Sequence, residues 1–195
     1  MTGKSDKARK PDAAHEFGAD VLRAQHEARV RAELAAADRL LPGSDSVSSA
    51  GAHLATIVVV KGLPGPAEAS GKPAMSGADG EAARKALGAL GWEPDAAFFT
   101  LSRPGSSTDA SRRATRLRFR IEAVDPEFVL AVDTDAAADV AEALGLERLP
   151  LGTVVRADGR RVLACDGLEA SLSDGARKQL VWSQLKLATP PATVY

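Results

Sequence analysis

Apolar residues recur along this chain with two different periods. Between Ala13 and Leu41 they fall at Val30, Leu34, Ala37 and Leu41, at spacings of four, three and four, with Arg and Glu on the intervening positions. One face of an α-helix has this spacing, and Pro42-Gly43 is expected to stop it. Gly43 to Gly51 is rich in Ser and Gly and reads as a linker. The pattern then changes: Leu54 to Val60 reads Leu-Ala-Thr-Ile-Val-Val-Val without polar alternation, as a strand buried on both faces of a parallel sheet requires. Ala96–Leu101, Phe128–Val132 and Arg160–Cys165 read as three further strands, the last preceded by an Asp158-Gly159 turn. Helical patterns lie between them: Glu81 to Leu90 closed by Gly91, Asp109 to Ala123, and Thr134 to Leu144 closed by Gly145. A last helix is expected over Ser173 to Ala188, with Ser173 as N-cap. Strands alternating with helices predict an α/β fold, a three-layer α/β/α sandwich around a central, mostly parallel four-stranded sheet. The expected organisation is a disordered tail over 1–12, an N-terminal helix and linker over 13–51, the α/β domain over 52–189, and a tail over 190–195.

The 195 residues, 45 % of them hydrophobic, suit one domain with a substantial core rather than two. Lys plus Arg number 25 against 26 Asp plus Glu, so a globally basic nucleic-acid binder is excluded and only a local patch is left. Such a patch exists in the sequence. Arg103, Arg112, Arg113, Arg116, Arg118 and Arg120 crowd together, whereas Glu122 to Glu147 has eight acids and no Lys or Arg. On a helix Arg112, Arg116 and Arg120 share one stripe, which would face the phosphates of DNA or the surface of a protein partner. Cys165 is the only cysteine, so there is no internal disulfide and no iron–sulfur cluster, and a reducing compartment is expected. His15, His26 and His53 have no metal-ligand spacing, so neither a metal nor another cofactor is expected. No apolar run reaches the roughly 20 residues that cross a membrane, and Met1 to Lys10 lacks the apolar core of a secretory signal. The expectation is a soluble, cytoplasmic protein. Cys165, Trp92 and Trp182 read as core residues.

In open parallel sheets ligands bind beyond the carboxyl ends of the strands, which directs attention to the segment from Lys61 to Gly80, with glycines at 62, 65, 71, 77 and 80. It lacks the Gly-Lys-Ser/Thr of a phosphate-binding P-loop and the spacing of a dinucleotide fingerprint.

The ordered spacing of this loop and of later segments is nevertheless specific. An Ile-Val-Val-Val strand leads into Pro64-Gly65-x-x-Glu68-x-x-Gly71-x-Pro73 and then Gly77-x-x-Gly80. Gly91-Trp92, a strand ending Phe99-Thr100, Arg103-Pro104-Gly105, Asp125-Pro126-Glu127, and Arg161 to Ala164 followed by Lys178, Trp182 and Leu185-Lys186 come after it in order. From Leu54 to Ala188 the chain resembles the uracil-DNA glycosylase superfamily. The resemblance implies an α/β sandwich, DNA binding in DNA repair, and excision of uracil or a related damaged base by hydrolysis of the N-glycosidic bond. It also implies a base pocket around Gly62, Leu63, Pro64, Gly65, Met75, Leu101 and Gly167, and a DNA contact from Arg103, which the Arg112, Arg116 and Arg120 stripe would extend.

The departures from the family pattern fall on its chemistry. Lys61-Gly62-Leu63-Pro64-Gly65 carries no acid, Ala74 and Met75 stand where a base-stacking aromatic is expected, Leu101 replaces a base-reading Asn, and Gly167-Leu168-Glu169 replaces a His-Pro-Ser segment. Without stacking and charge stabilisation a glycosylase loses several kcal/mol, about 3–4 for each oxyanion-type donor. The expected function is a degenerate, non-excising relative, a pseudoenzyme binding DNA or protein. The alternative is an active glycosylase in which Lys61, Glu68 or Asp166 takes a catalytic role, with Asp79 or Glu169 as a further carboxylate.

Overall fold

The computed structural model describes residues 13–41, 47–93 and 97–190. The expected tail 1–12, residues 191–195 of the expected tail 190–195, Pro42-Gly43 and Ala96 lie outside them. The elements in chain order are α1 (Ala13–Asp38), β1 (Ala50–Gly51), β2 (Ile57–Lys61), α2 (Pro66–Ala69), α3 (Ala78–Ala89), β3 (Ala97–Leu101) and α4 (Ala110–Val124). They continue with β4 (Phe128–Ala131), α5 (Thr134–Ala143), β5 (Val155–Ala157), β6 (Arg160–Ala164), α6 (Leu168–Ser171), α7 (Gly175–Leu185) and a 3-10 turn at Lys186–Ala188.

The fold is α/β, but its sheet is six-stranded and mixed, in the order β1-β3-β2-β4-β6-β5. The four expected strands are its parallel centre, with Ile57 to Lys61 paired to Ala97 to Leu101 and Ile57 to Val60 paired to Phe128 to Ala131. The two edges correct the four-stranded expectation. β1 is two residues long, too short for any periodicity, and pairs antiparallel with β3 inside the stretch read as linker. β5 pairs antiparallel with β6 across Asp158-Gly159, both with positive φ, 48° and 79°. That is the backbone of a two-residue hairpin turn, so the turn closes a hairpin instead of merely preceding a strand.

Alternation along β2 builds two cores. Val58 and Val60 pack with Leu117 and Ile121 of α4, Ala136 and Val140 of α5, and Val30 and Leu34 of α1. Ile57 and Val59 pack with Ala83 and Leu87 of α3 and Val181 and Leu185 of α7 on the other face. The predicted stripe of α1 is buried, and α1 lies along α4. Three local expectations change. The loop to Gly80 contains α2 and the first turn of α3. α7 is capped by Asp174, whose carboxylate accepts the N–H groups of Ala176 and Arg177, and not by Ser173. Trp182 is exposed because it lies on the flank of α7 away from Val181 and Leu185, whereas Trp92 is buried and donates its indole N–H to Ala188 O at 2.6 Å. Among the described residues no helix is long and apolar enough to cross a membrane.

Candidate functional site

The four parallel strands lie in the order second, first, third, fourth, so the topological switch point falls between β2 and β4. The chain leaving β2 reaches α3 on one face, and the chain leaving β4 enters α5 on the other. Between these diverging segments opens a cavity of about 540 Å³ lined by Lys61, Asp79, Val132, Asp133, Thr134, Asp166, Gly167, Glu169, Ala170 and Arg177. A second hollow of about 530 Å³ runs along α5 from Thr134, which also lines the cleft, past Ala137, Ala138 and Ala141 to Leu146 and Leu149.

Lys61, the last residue of β2, is 4 % exposed. Its Nζ lies 2.6 Å from Asp79 Oδ2, 2.9 Å from Glu169 Oε2 and 3.7 Å from Glu68 Oε2. Burial alone pulls its pKa down, but the hydrogen bonds to Asp79 and Glu169 and the charges of Asp79 and Glu68 outweigh it and hold the ammonium above the ordinary lysine value. Lys61 is therefore a fixed cation at neutral pH and not a general base. Glu68 ties the loop to itself, accepting from Gly65 N at 3.0 Å and Met75 N at 2.8 Å. Asp79 sits in the first turn of α3, where a negative charge also meets the positive end of the helix dipole.

Close approach explains two of the glycines. A Cβ on Gly80 would lie 1.7 Å from Met75 O, and one on Gly62 would lie 2.5 Å from Asp135 Cβ. Met75 itself has φ 57°, a left-handed backbone unusual outside glycine, fixed by its N–H bond to Glu68 and by Arg84 Nη1 on its carbonyl at 3.0 Å. Across the cleft Asp133 caps α5, taking Ala136 N on Oδ1 at 2.7 Å and Gly62 N on Oδ2 at 2.9 Å. Arg103 forks onto Asp139, with Nε 2.8 Å from Oδ2 and Nη2 3.0 Å from Oδ1, and also reaches Asp135. Ser102 Oγ donates to the same Asp139 Oδ2 at 2.6 Å. The bonds to Asp139 raise the pKa of Arg103 further.

The fold thus gathers Lys61, Asp166 and Gly167 at one cavity, with Gly65 and Glu68 beside the ion cluster. It does not bring the rest of the expected base pocket there. Met75 and Leu101 are fully buried in the core under α3 and α7, with Ala74, because strand alternation turns Leu101 to that face. Leu63 is half-exposed on the loop, and neither Gly62 nor Pro64 lines the cavity. Asp166 is the least committed acid. Among the described residues its carboxylate makes no hydrogen bond, and its only cation is Arg177 Nε at 3.9 Å. Cys165 is buried and its thiol is pushed up to about 12 by burial, then by the charges of Asp133 and Asp166, so it is a core residue and not a nucleophile. Sequence reasoning missed Asp133, Thr134 and Arg177. Asp133 before Thr134 is a legible N-cap, but its closeness to Gly62 depends on strand order.

The arginine stripe is corrected by the fold. Arg112 is exposed beside Asp109, at 3.2 Å, but Arg116 and Arg120 are each 1 % exposed and turn beneath α1 to Asp38. Arg116 Nε and Nη2 lie 3.0 and 2.9 Å from Asp38 Oδ1, and Nη1 donates to Leu101 O at 3.1 Å. Spacing of four places residues on one side of a helix, and α1 covers that side. Among the described residues no group of three or more His, Cys, Asp or Glu side chains is arranged to hold a metal ion. No protein-family model matches the sequence, and no curated protein matches it.

Proposed function

We propose that this chain is a divergent relative of the uracil-DNA glycosylase superfamily that keeps the three-layer α/β/α arrangement, has lost base excision and acts as a binding protein in the cytoplasm. The observation that carries the reading is that side chains at the family's base-holding positions are spent on structure. Ala74, Met75 and Leu101 fill the core, and Lys61 is saturated by three carboxylates. An extruded base would find no stacking platform. The cleft at the switch point carries Asp79, Asp133, Asp166 and Glu169 against Lys61 and Arg177, a balance that repels phosphate and favours a basic side chain of a protein partner. The lone buried Cys165 fits a reducing setting.

One observation favours the alternative of an active hydrolase: Asp166 offers an uncommitted carboxylate at the cavity wall. The test uses labelled single- and double-stranded oligonucleotides with and without uracil, together with a fluorescent oligolysine peptide, at two salt concentrations. Peptide binding weakened by Asp166→Asn with no base release is the expected result. Base release by the wild type that Asp166→Asn abolishes would overturn the reading.

A further inference from the structure

Arg113, Arg116 and Arg120 occupy positions i, i+3 and i+7 of α4 and so share one helix face. Asp38 of α1 meets the latter two, and among the described residues it is the only carboxylate that does so. Two guanidiniums on one carboxylate leave net positive charge in a buried place. Arg113 Nε, Arg120 Nε and Arg120 Nη2 are buried without a hydrogen-bond partner among the described residues. Burial, then the neighbouring charge of Arg120, pulls the pKa of Arg116 down to about 10 against the pull of Asp38. Buried cationic donors without acceptors are costly; Arg120 lies over the Phe98 ring of β3, and Arg116 beside it holds the carbonyl of Leu101 at the end of that strand.

We propose that the face of α4 bearing Arg113, Arg116 and Arg120 is a phosphate-binding face that α1 holds closed, with the Asp38 carboxylate standing in for the phosphate. A carboxylate bridging two guanidiniums has the geometry and charge of a phosphate oxygen between two arginines. α1 is suited to be a cover. It lies along α4 and is held there by a narrow stripe, Val30, Leu34, Ala37 and Leu41, while residues 18–29 are almost wholly exposed. Arg112, exposed on the same helix, would flank the uncovered site. The inference does not depend on the glycosylase resemblance.

The test compares the full chain with Asp38→Asn, which cancels the latch charge and leaves the apolar stripe in place, and with Asp38→Asn combined with Arg116→Met and Arg120→Met. The probes are inorganic phosphate and a labelled single-stranded oligonucleotide. Asp38→Asn is expected to bind the oligonucleotide more tightly, with the slope of log affinity against log salt steeper by about 0.7 per phosphate engaged. For two phosphates that amounts to a gain of about sevenfold more on going from 200 to 50 mM salt. The triple variant is expected to lose this gain. Gains with both probes identify a nucleic-acid phosphate site, and a gain with inorganic phosphate alone identifies a free phosphate; either supports the proposal. A folded Asp38→Asn variant that gains with neither, or a gain that survives in the triple variant, overturns it. Should Asp38→Asn not fold, hydrogen exchange of the wild type decides. Oligonucleotide is expected to speed exchange of amides 30–41, and unchanged exchange overturns the proposal.

Discussion

Replacing Lys61 with Met tests whether the ion cluster at the floor of the cleft is a structural clamp. Met matches the lysine stem in length and apolar character, so the perturbation is chiefly the loss of one positive charge. Glu68 and Asp79, both 3 % exposed, are then left without their cation. Removing one partner from a buried ion pair costs about 3–5 kcal/mol, because the remaining charge is uncompensated. For a chain of this size that is a shift of roughly 6–20 °C in Tm, at about 2–4 °C per kcal/mol. It is also a large part of the ~5–15 kcal/mol typical of a whole domain. Urea denaturation followed by circular dichroism measures the difference, and its pH dependence has a definite sign. The folded-state pKa of Lys61 is raised above its ordinary 10.5, so its stabilisation is fully present below that value and is lost as pH rises through the folded-state value. The gap between wild type and Lys61→Met should thus be constant near neutrality and close in strong alkali. A variant within about 1 kcal/mol of wild type at neutral pH would refute the clamp, as would a gap that widens in alkali.

Two further outcomes follow from the same geometry. Gly80→Ala, whose Cβ would meet the Met75 carbonyl at 1.7 Å, should destabilise the chain by about 3 kcal/mol or more, because backbone and not a mobile side chain must yield; thermal unfolding measures it, and a Tm unchanged from wild type would contradict the packing. Cys165, buried with its thiol pushed up to about 12, should resist a thiol-reactive chromophore at pH 7 until denaturant is added, whereas labelling of the folded chain within minutes would show that the strand end is open.

Much of the architecture could be read before the fold was seen. Each central strand carries an apolar stretch of three or more residues, and such a stretch has few other places to go. Val30, Leu34, Ala37 and Leu41 announced their own burial, and Gly91 and Gly145 take positive φ at the helix ends where they were expected. The edge strands were not legible. β1 is too short to have a period, and β5 is defined by pairing across a turn, not by composition. Of the candidate site residues, Lys61 and Asp166 were legible from their places at strand ends. Their partners were not, because Lys61 meets residues 68, 79 and 169, which only the fold brings together.

The arginine stripe and the base pocket mark the boundary most clearly. Local sequence alone determined that Arg112, Arg116 and Arg120 lie along one side of a helix and that Met75 and Leu101 belong to loops and strand ends at one sheet edge. Which of these side chains meet water was decided by tertiary packing. α1, docked by its own apolar stripe, covers Arg116 and Arg120 and supplies Asp38 from far away in the chain, while strand alternation draws Leu101 into the core beside Met75. Helical and strand periods are set by backbone geometry within a few residues and are therefore written locally. The neighbour of a given face is set by burying apolar area between distant elements, and no local pattern records it.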